Sequence, residues 1–251
     1  MREKPIILIT AGGTSEPIDS VRSITNTGTG KLGSMLADTL ATELPHATIF
    51  YVCARSAVKP NSPRMQLVEI QTVHDLQTAV LSLTQEHCID VVIHSMAVSD
   101  YTVASVTSVD SLARSVQELS SNACDAAAIQ QLLRNSDMRA GGKFSSHETA
   151  PLILLEQTQK ILPLFRQKLP NAVIIGFKLL SGVPQTELIE TAHRLLANNG
   201  CDFVLANDST QIAGDNHTAH LVDAQKKTVS FKTKQEIARG ITQAVVRKLY
   251  G

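Results

Sequence analysis

Asn26-Thr27-Gly28-Thr29-Gly30-Lys31 packs an amide, two hydroxyls, two glycines and a cation just ahead of an apolar stripe at helical spacing, Leu32, Met35, Leu36 and Leu40. Backbone N–H groups at a helix start, joined by one ammonium, are the usual means of holding a phosphate. Upstream, the apolar run Ile6 to Ile9 reads as a buried parallel strand. It stops at Thr10-Ala11-Gly12-Gly13-Thr14, where small residues let the backbone come close to another group. Two familiar motifs nearly fit here and fail. Gly28, Gly30 and Gly33 spell GxGxxG, but the dinucleotide fingerprint follows the first strand directly, and here Pro17 and a long polar loop intervene. Gly30-Lys31 hints at a P-loop, yet Leu32 stands where a Ser or Thr would hold magnesium. What remains is a phosphate-type site assembled from Gly12, Gly13, Gly28, Gly30 and Lys31.

A second segment with chemistry in it is His94-Ser95-Met96-Ala97-Val98-Ser99-Asp100-Tyr101, which follows the apolar strand Ile89 to Ile93. Ligands of open α/β sheets sit at the carboxyl ends of strands, so this turn faces the expected site. Asp100 could accept from ribose hydroxyls, or equally could cap a helix or close a turn. His94 reads as a structural histidine. Further along, Gly141-Gly142-Lys143-Phe144-Ser145-Ser146 ends a long polar excursion, of the kind that serves as a lid, a binding loop or a disordered insertion. Taken alone, Lys143 reads as a solvated loop lysine.

The elements that must position these residues alternate between strand and helix. The expected strands are 6–9, 47–53, 67–70, 89–93, 152–155, 172–177 and 203–205, followed by a hairpin over 219–222 and 228–231. The expected helices are 33–44, 73–86, 158–169, 187–199 and 234–249. This alternation predicts right-handed βαβ units and a parallel sheet. The stretch 102–142 breaks the pattern, with only weak helical segments near 109–119 and 123–133. Ala206-Asn207-Asp208 is expected at the carboxyl end of the last parallel strand. No internal repeat and no low-complexity segment interrupts the chain.

At 251 residues and 43% hydrophobic, the chain can bury a core of its own. A formal net charge of +0 argues against a non-specific nucleic-acid binder. No apolar run is long enough to span a bilayer, and Met1-Arg2-Glu3-Lys4-Pro5 leads straight into a strand with no cleavage site. A cytoplasmic protein is expected. The four cysteines lie far apart without a CxxC pair, which argues against a zinc or redox motif. Cys53, Cys88 and Cys201 are expected to be reduced core thiols.

Thr10-Ala11-Gly12-Gly13-Thr14-x-Glu16-Pro17-Ile18-Asp19-x-Val21-Arg22-x-Ile24-Thr25-Asn26 resembles the opening signature of the phosphopantothenate–cysteine ligase family, which acts in coenzyme A synthesis. Met96-Ala97-Val98-Ser99-Asp100 resembles that family's nucleotide-contacting turn, with Met96 where many members carry alanine. Ile175-Gly176-Phe177-Lys178-Leu179 resembles its Gly-Phe segment under the nucleotide, and Ala206-Asn207-Asp208 its Ala-Asn-Asp turn. Lys143-Phe144-Ser145-Ser146 is similar to its flap, which carries a reactive-site lysine. The likeness covers nearly the whole chain and is weakest over 102–142.

The resemblance implies a single Rossmann-like three-layer α/β/α domain over 1–251, with a mainly parallel sheet and a flap at about 102–146. It implies a free-standing ligase that joins 4′-phosphopantothenate to L-cysteine through an acyl-nucleotide. Asn26 and Lys143 would be catalytic. Gly12, Gly13, Gly28, Gly30, Lys31, Met96, Ala97, Asp100, Phe177 and Lys178 would bind the nucleotide, and Asn26 and Asn207 the substrate. CTP, with ATP as the other possibility, and Mg²⁺ would be required, and the protein would be a homodimer. Metal ligands are not assigned. Two other classes stay open from the residues alone. One is an NAD(P)-dependent oxidoreductase: Cys53-Ala54-Arg55 ends the second strand without an acidic residue, which argues against NAD, although Arg55 could suit a 2′-phosphate. The other is a nucleotide-binding protein without turnover.

Overall fold

The computed structural model describes residues 4–118, 125–138, 147 and 150–251. In chain order the elements are β1 (Ile6–Ala11), β2 (Ser15–Pro17), β3 (Ser23–Thr25), α1 (Lys31–Glu43), β4 (Thr48–Ala54), β5 (Met65–Ile70), α2 (Val73–Glu86), β6 (Val91–His94), β7 (Tyr101–Ser108) and α3 (Val109–Gln117). They continue with α4 (Ala126–Asn135), β8 (Pro151–Gln157), α5 (Ile161–Lys168), β9 (Val173–Leu180), α6 (Gln185–Asn199), β10 (Phe203–Ala213), β11 (Asn216–Asp223), β12 (Thr228–Thr233) and α7 (Lys234–Tyr250). The chain divides into two compact units, one made of 1–14, 27–98 and 160–251, the other of 15–26 and 99–159.

The larger unit is built on one sheet in the order β5-β4-β1-β6-β9-β10-β11-β12. Neighbours from β5 to β10 pair in parallel, whereas β10–β11 and β11–β12 are antiparallel. Central strands read as unbroken apolar runs because both faces are covered. Ile7, Ile9, Val91, Ile93, Ile175 and Leu205 meet Leu36 and Leu40 of α1 and Ile237 and Ile241 of α7 on one face. On the other, Leu8, Val92, Ile174 and Val204 meet Leu76 and Val80 of α2, Phe165 of α5 and Ala192 of α6. The expected three-layer sandwich is what forms. At the amino edge of the sheet, two carboxylates take backbone donors: Ile6 N–H donates to Asp90 (2.8 Å) and Ile174 N–H to Asp202 (3.0 Å). Asp202 also pairs with Arg166 at 3.0 Å and Lys248 at 3.1 Å.

Local signals explain the boundaries. Thr72 and Asp75 form a reciprocal capping box that starts α2 at the expected residue. In α1 the buried positions Gly33, Leu36, Ala37, Leu40 and Ala41 follow a helical stripe.

The smaller unit corrects the expectation of an irregular stretch over 102–142. β7 and β8 form an antiparallel ribbon, with a bulge between Val103 and Ser105. β2 and β3 form a short hairpin. Ile18 packs on Val103 and Val106, and Thr102 Oγ1 donates to Glu16 at 2.7 Å. Ser108 caps α3 and Asp125 caps α4. β7 escaped notice because its buried residues include Ser105, Thr107 and Ser108. A polar inward face removes the apolar alternation by which a strand is recognised.

Two smaller corrections follow. β10 runs on to Ala213, so Asn207 and Asp208 lie within a strand, opposite Leu179 and Leu180 of β9, and do not form a terminal turn. Cys88 is exposed, while Cys53 and Cys201 are buried free thiols as expected. Cys124 lies outside the described residues.

Candidate functional site

The chain passes outward from β1 to β4 and β5, then returns to place β6 on the other side of β1. Strand order therefore reverses between β1 and β6, and the crevice beyond their carboxyl ends is the place where such sheets take ligands. The residues there are Thr10 to Gly13 and His94 to Ala97. Backbone bonds knit the two segments together. Ser95 donates to the Thr10 carbonyl through its N–H (3.1 Å) and its hydroxyl (2.7 Å), and Ala97 N–H donates to Gly12 at 2.8 Å. Thr14 N–H returns a bond to the Ala97 carbonyl at 3.0 Å, and Gly13 and Ala97 form a parallel bridge. Gly12, Gly13, Met96 and Ala97 are thus held side by side.

Loop 27–30 lies on this crevice. A Cβ on Gly28 would overlap the carbonyl group of Gly12, so the close approach requires glycine. The loop is pinned from beneath, where Val58 N–H donates to the Thr29 carbonyl at 3.0 Å and the Tyr51 hydroxyl donates to Val58 at 3.0 Å. Gly30 ends the loop at φ 74 and precedes α1, whose first turn holds no acidic residue; Gly30 has no side chain to cap it, and the Thr29 hydroxyl accepts from Lys31 N–H at 3.4 Å. The positive end of the helix dipole therefore meets no acidic side chain within the first turn of α1. Lys31 is half exposed and meets Asp215 at 3.3 Å.

Phe177 and Lys178 sit in β9 beside Leu205 and Ala206. Phe177 packs against the α1–α7 side of the core, so Lys178, its neighbour on a pleated strand, points to the other face. Asn207 is buried, and its Nδ2 lies 3.1 Å from Nε2 of His217 in β11. Asp208 accepts from the N–H groups of Gly182, Val183 and Thr210, at 3.0, 3.1 and 2.9 Å. Those donors, Gly182 first, hold its carboxyl down at about 2. His94 is the structural residue the sequence suggested. It bonds Thr10 Oγ1 at 2.7 Å and meets the Phe165 ring edge-on, and burial pushes its pKa down to about 4.

The larger unit thus brings together Gly12, Gly13, Gly28, Gly30, Lys31, Met96 and Ala97 at the crevice, with Phe177, Lys178 and Asn207 on the neighbouring strands. Asn26 and Asp100 belong to the smaller unit, where Asn26 is half-buried and Asp100 is exposed. Thr158 N–H donates to the Asp100 carbonyl at 3.0 Å. Lys143 lies outside the described residues. Sequence reasoning missed His217 and the clamp made by Asp208. His217 gave no local signal, because its role depends on a partner across a strand pair. The Gly214 turn that sets that pairing was the available clue.

The family described as DNA/pantothenate metabolism flavoprotein C-terminal domain matches residues 2–120 and 103–249. The chain belongs to this family. Among curated relatives, the coenzyme A biosynthesis bifunctional protein CoaBC of Thermococcus kodakarensis is 28% identical over 245 residues, covering 97% of this chain and 51% of that protein. The protein of the same name from Bacillus subtilis is 28% identical over 247 residues, covering 92% and 50%. The chain spans about half the length of the curated relatives it matches. A solved structure titled as the DNA/pantothenate metabolism flavoprotein from Streptococcus pneumoniae superposes with a TM-score of 0.82 at 35% identity, covering 97% of this chain and 99% of that one. The C-terminal domain of a CoaBC protein shares the fold, with a TM-score of 0.67 at 24% identity over 98% and 95%.

Proposed function

We propose that this chain is a phosphopantothenate–cysteine ligase of coenzyme A synthesis, using CTP or ATP. The observation that carries the reading is the glycine-led start of α1, seated through Gly28 on Gly12 at the reversal of strand order. Family membership and relatives named for coenzyme A biosynthesis support it.

The chemistry suits such a site. A carboxylate oxygen of 4′-phosphopantothenate attacks the α-phosphorus of the nucleotide, the bridging P–O bond breaks, and pyrophosphate leaves. The cysteine amine then attacks the acyl carbon, loses a proton and expels the nucleoside monophosphate, leaving an amide. A carboxylate is already ionised at neutral pH, so no activated side-chain nucleophile is needed. The protein's task is to align the groups and offset phosphate charge. Gly12, Gly13, Gly28 and Gly30 supply backbone approach, Lys31 and Lys143 supply cations, and Met96, Ala97, Asp100, Phe177 and Lys178 hold the nucleotide. Asn26 and Asn207 hold the acid. Mg²⁺ would enter as the magnesium complex of the nucleotide, whose phosphates supply ligands to it.

A homodimer working in the cytoplasm completes the proposal. The smaller unit exposes Val21, Tyr101, Val109, Ile153 and Leu155, apolar surface that a second copy would cover. No described helix is long and apolar enough to cross a membrane.

The decisive assay measures pyrophosphate release with nucleotide, cysteine and phosphopantothenate. Release that depends on phosphopantothenate is expected with CTP or ATP. No such release with either nucleotide overturns the reading. Asp100→Ala should raise the nucleotide KM with the fold intact, and an unchanged KM removes Asp100 from the site.

A further inference from the structure

Asn207 pairs directly with Ala219 across the β10–β11 hairpin, which places His217, two residues away, on the same face of the sheet. The two side chains are buried and meet through Asn207 Nδ2 and His217 Nε2, 3.1 Å apart. An amide N–H can only donate, so Nε2 accepts, and the neutral ring carries its hydrogen on Nδ1. Nδ1 is itself buried with no partner among the described residues, so none of them competes with Asn207 in choosing the tautomer. Burial, aided by the Lys234 charge, pushes the ring pKa down to about 4 and keeps it in this accepting form at neutral pH.

The hairpin that carries this pair is fastened at its tip. Lys31 Nζ meets Asp215 at 3.3 Å, and Lys234 Nζ donates to the Gly214 carbonyl at 2.6 Å. The first residues of α1 and α7 thus grip the turn, while Asn207 and His217 lie below it in the strands.

We propose that His217 is a positioning residue for substrate recognition: by accepting from Asn207 Nδ2 it fixes the amide with Oδ1 free to accept a hydrogen bond. Asn207 then reads a donor on the acid substrate, an amide N–H or a hydroxyl, and not its carboxylate or phosphate. This rests on the ligase reading, in which Asn207 binds the acid.

Two measurements test it. Nitrogen-15 NMR of the imidazoles, with the His217 signal assigned by its loss in His217→Gln, should show Nδ1 protonated and Nε2 unprotonated. A protonated Nε2 overturns the inference whatever the kinetics. In the pyrophosphate assay, His217→Leu should raise the KM for phosphopantothenate about tenfold, leaving kcat and the nucleotide KM within about twofold. His217→Gln, whose side-chain carbonyl can accept from Asn207, should stay within about threefold of wild type. Asn207→Ala is the control. If it raises the phosphopantothenate KM and His217→Leu does not, the positioning role fails and the site stands. If Asn207→Ala leaves that KM unchanged, the placement of Asn207 fails, and the role of His217 with it. A wild-type protein that releases no pyrophosphate overturns the ligase reading separately. Should His217→Leu not fold, the NMR tautomer and the His217→Gln KM decide.

Discussion

Gly28 rests directly on the carbonyl of Gly12, with no room for a methyl group between them. The contact joins the loop before α1 to the end of β1, so it sets where the helix start stands relative to the crevice. Gly28→Ala must push the loop off β1. Overpacking of this kind costs about 1–3 kcal/mol. Melting should fall by a few degrees, while kcat/KM for the nucleotide should drop at least about tenfold, because the phosphate donors move with the loop. Wild-type kcat/KM in a folded Gly28→Ala protein would show that the loop is structural only.

Lys143→Ala should separate stability from activity. The sequence reads Lys143 as a solvated loop lysine, and such a residue costs within about half a kcal/mol to replace, so the melting temperature without ligand should not change. If the lysine meets developing phosphate charge, its loss costs on the order of 3 kcal/mol in the barrier, roughly a hundredfold in kcat. Lys143→Arg keeps the charge without the compact ammonium and should fall between. Nucleotide should also protect segment 141–146 from protease. Near-normal kcat in Lys143→Ala with unchanged protection removes the role.

Asn26→Asp places a carboxylate one residue before the 27–30 loop, beside the expected phosphates. Turnover should fall by about a hundredfold or more, while the melting temperature shifts by only a few degrees. Turnover equal to wild type sinks the assignment.

Burial of His94 makes stability depend on pH. Its folded pKa is about 4 against an ordinary value of 6.5. Between these values the unfolded chain binds a proton that the folded chain refuses, so stability is full above about pH 6.5 and falls as pH drops toward 4. The difference corresponds to an amount on the order of 3 kcal/mol. His217 adds to the same slope, since its folded pKa is also about 4. Urea midpoints from pH 7.5 to 4.5 would record it, and His94→Gln, which does not titrate, should flatten the slope. An unchanged slope in that variant would mean that His94 is not the group responsible.

The larger unit was legible because its strands are sealed on both faces. Ile6 to Ile9 and Ala172 to Phe177 announce themselves as apolar runs, and their ends were less legible: Thr10 and Ala11 prolong the first strand, and Lys178 to Leu180 the other. Asn207-Asp208 misled for a physical reason. Asn and Asp favour turns because their side chains bond the local backbone. Asp208 does bond the local backbone, through Thr210 N–H, but it also accepts from Gly182 and Val183 of the adjoining loop, which no local pattern shows. β7 was hidden by its buried hydroxyls, of which Ser105 Oγ and Thr107 Oγ1 find no partner among the described residues. The glycine turn into α1 was readable from Gly28 to Lys31 because its signals are local. The Asn207–His217 pair was not, because its residues meet across two strands.

The smaller unit leaves the larger one twice, after Thr14 and after Val98, just past the ends of adjacent strands β1 and β6. Both departures lie beyond the last paired residue of the sheet. Insertions or deletions between Ser99 and Gln159 can therefore accumulate over generations without shifting any register among the eight strands. A single residue gained between Gly28 and Lys31 has no such freedom, since it would misalign the start of α1 with Gly12. In lineages descended from this architecture, length should vary in the excursion and stay fixed in the loop.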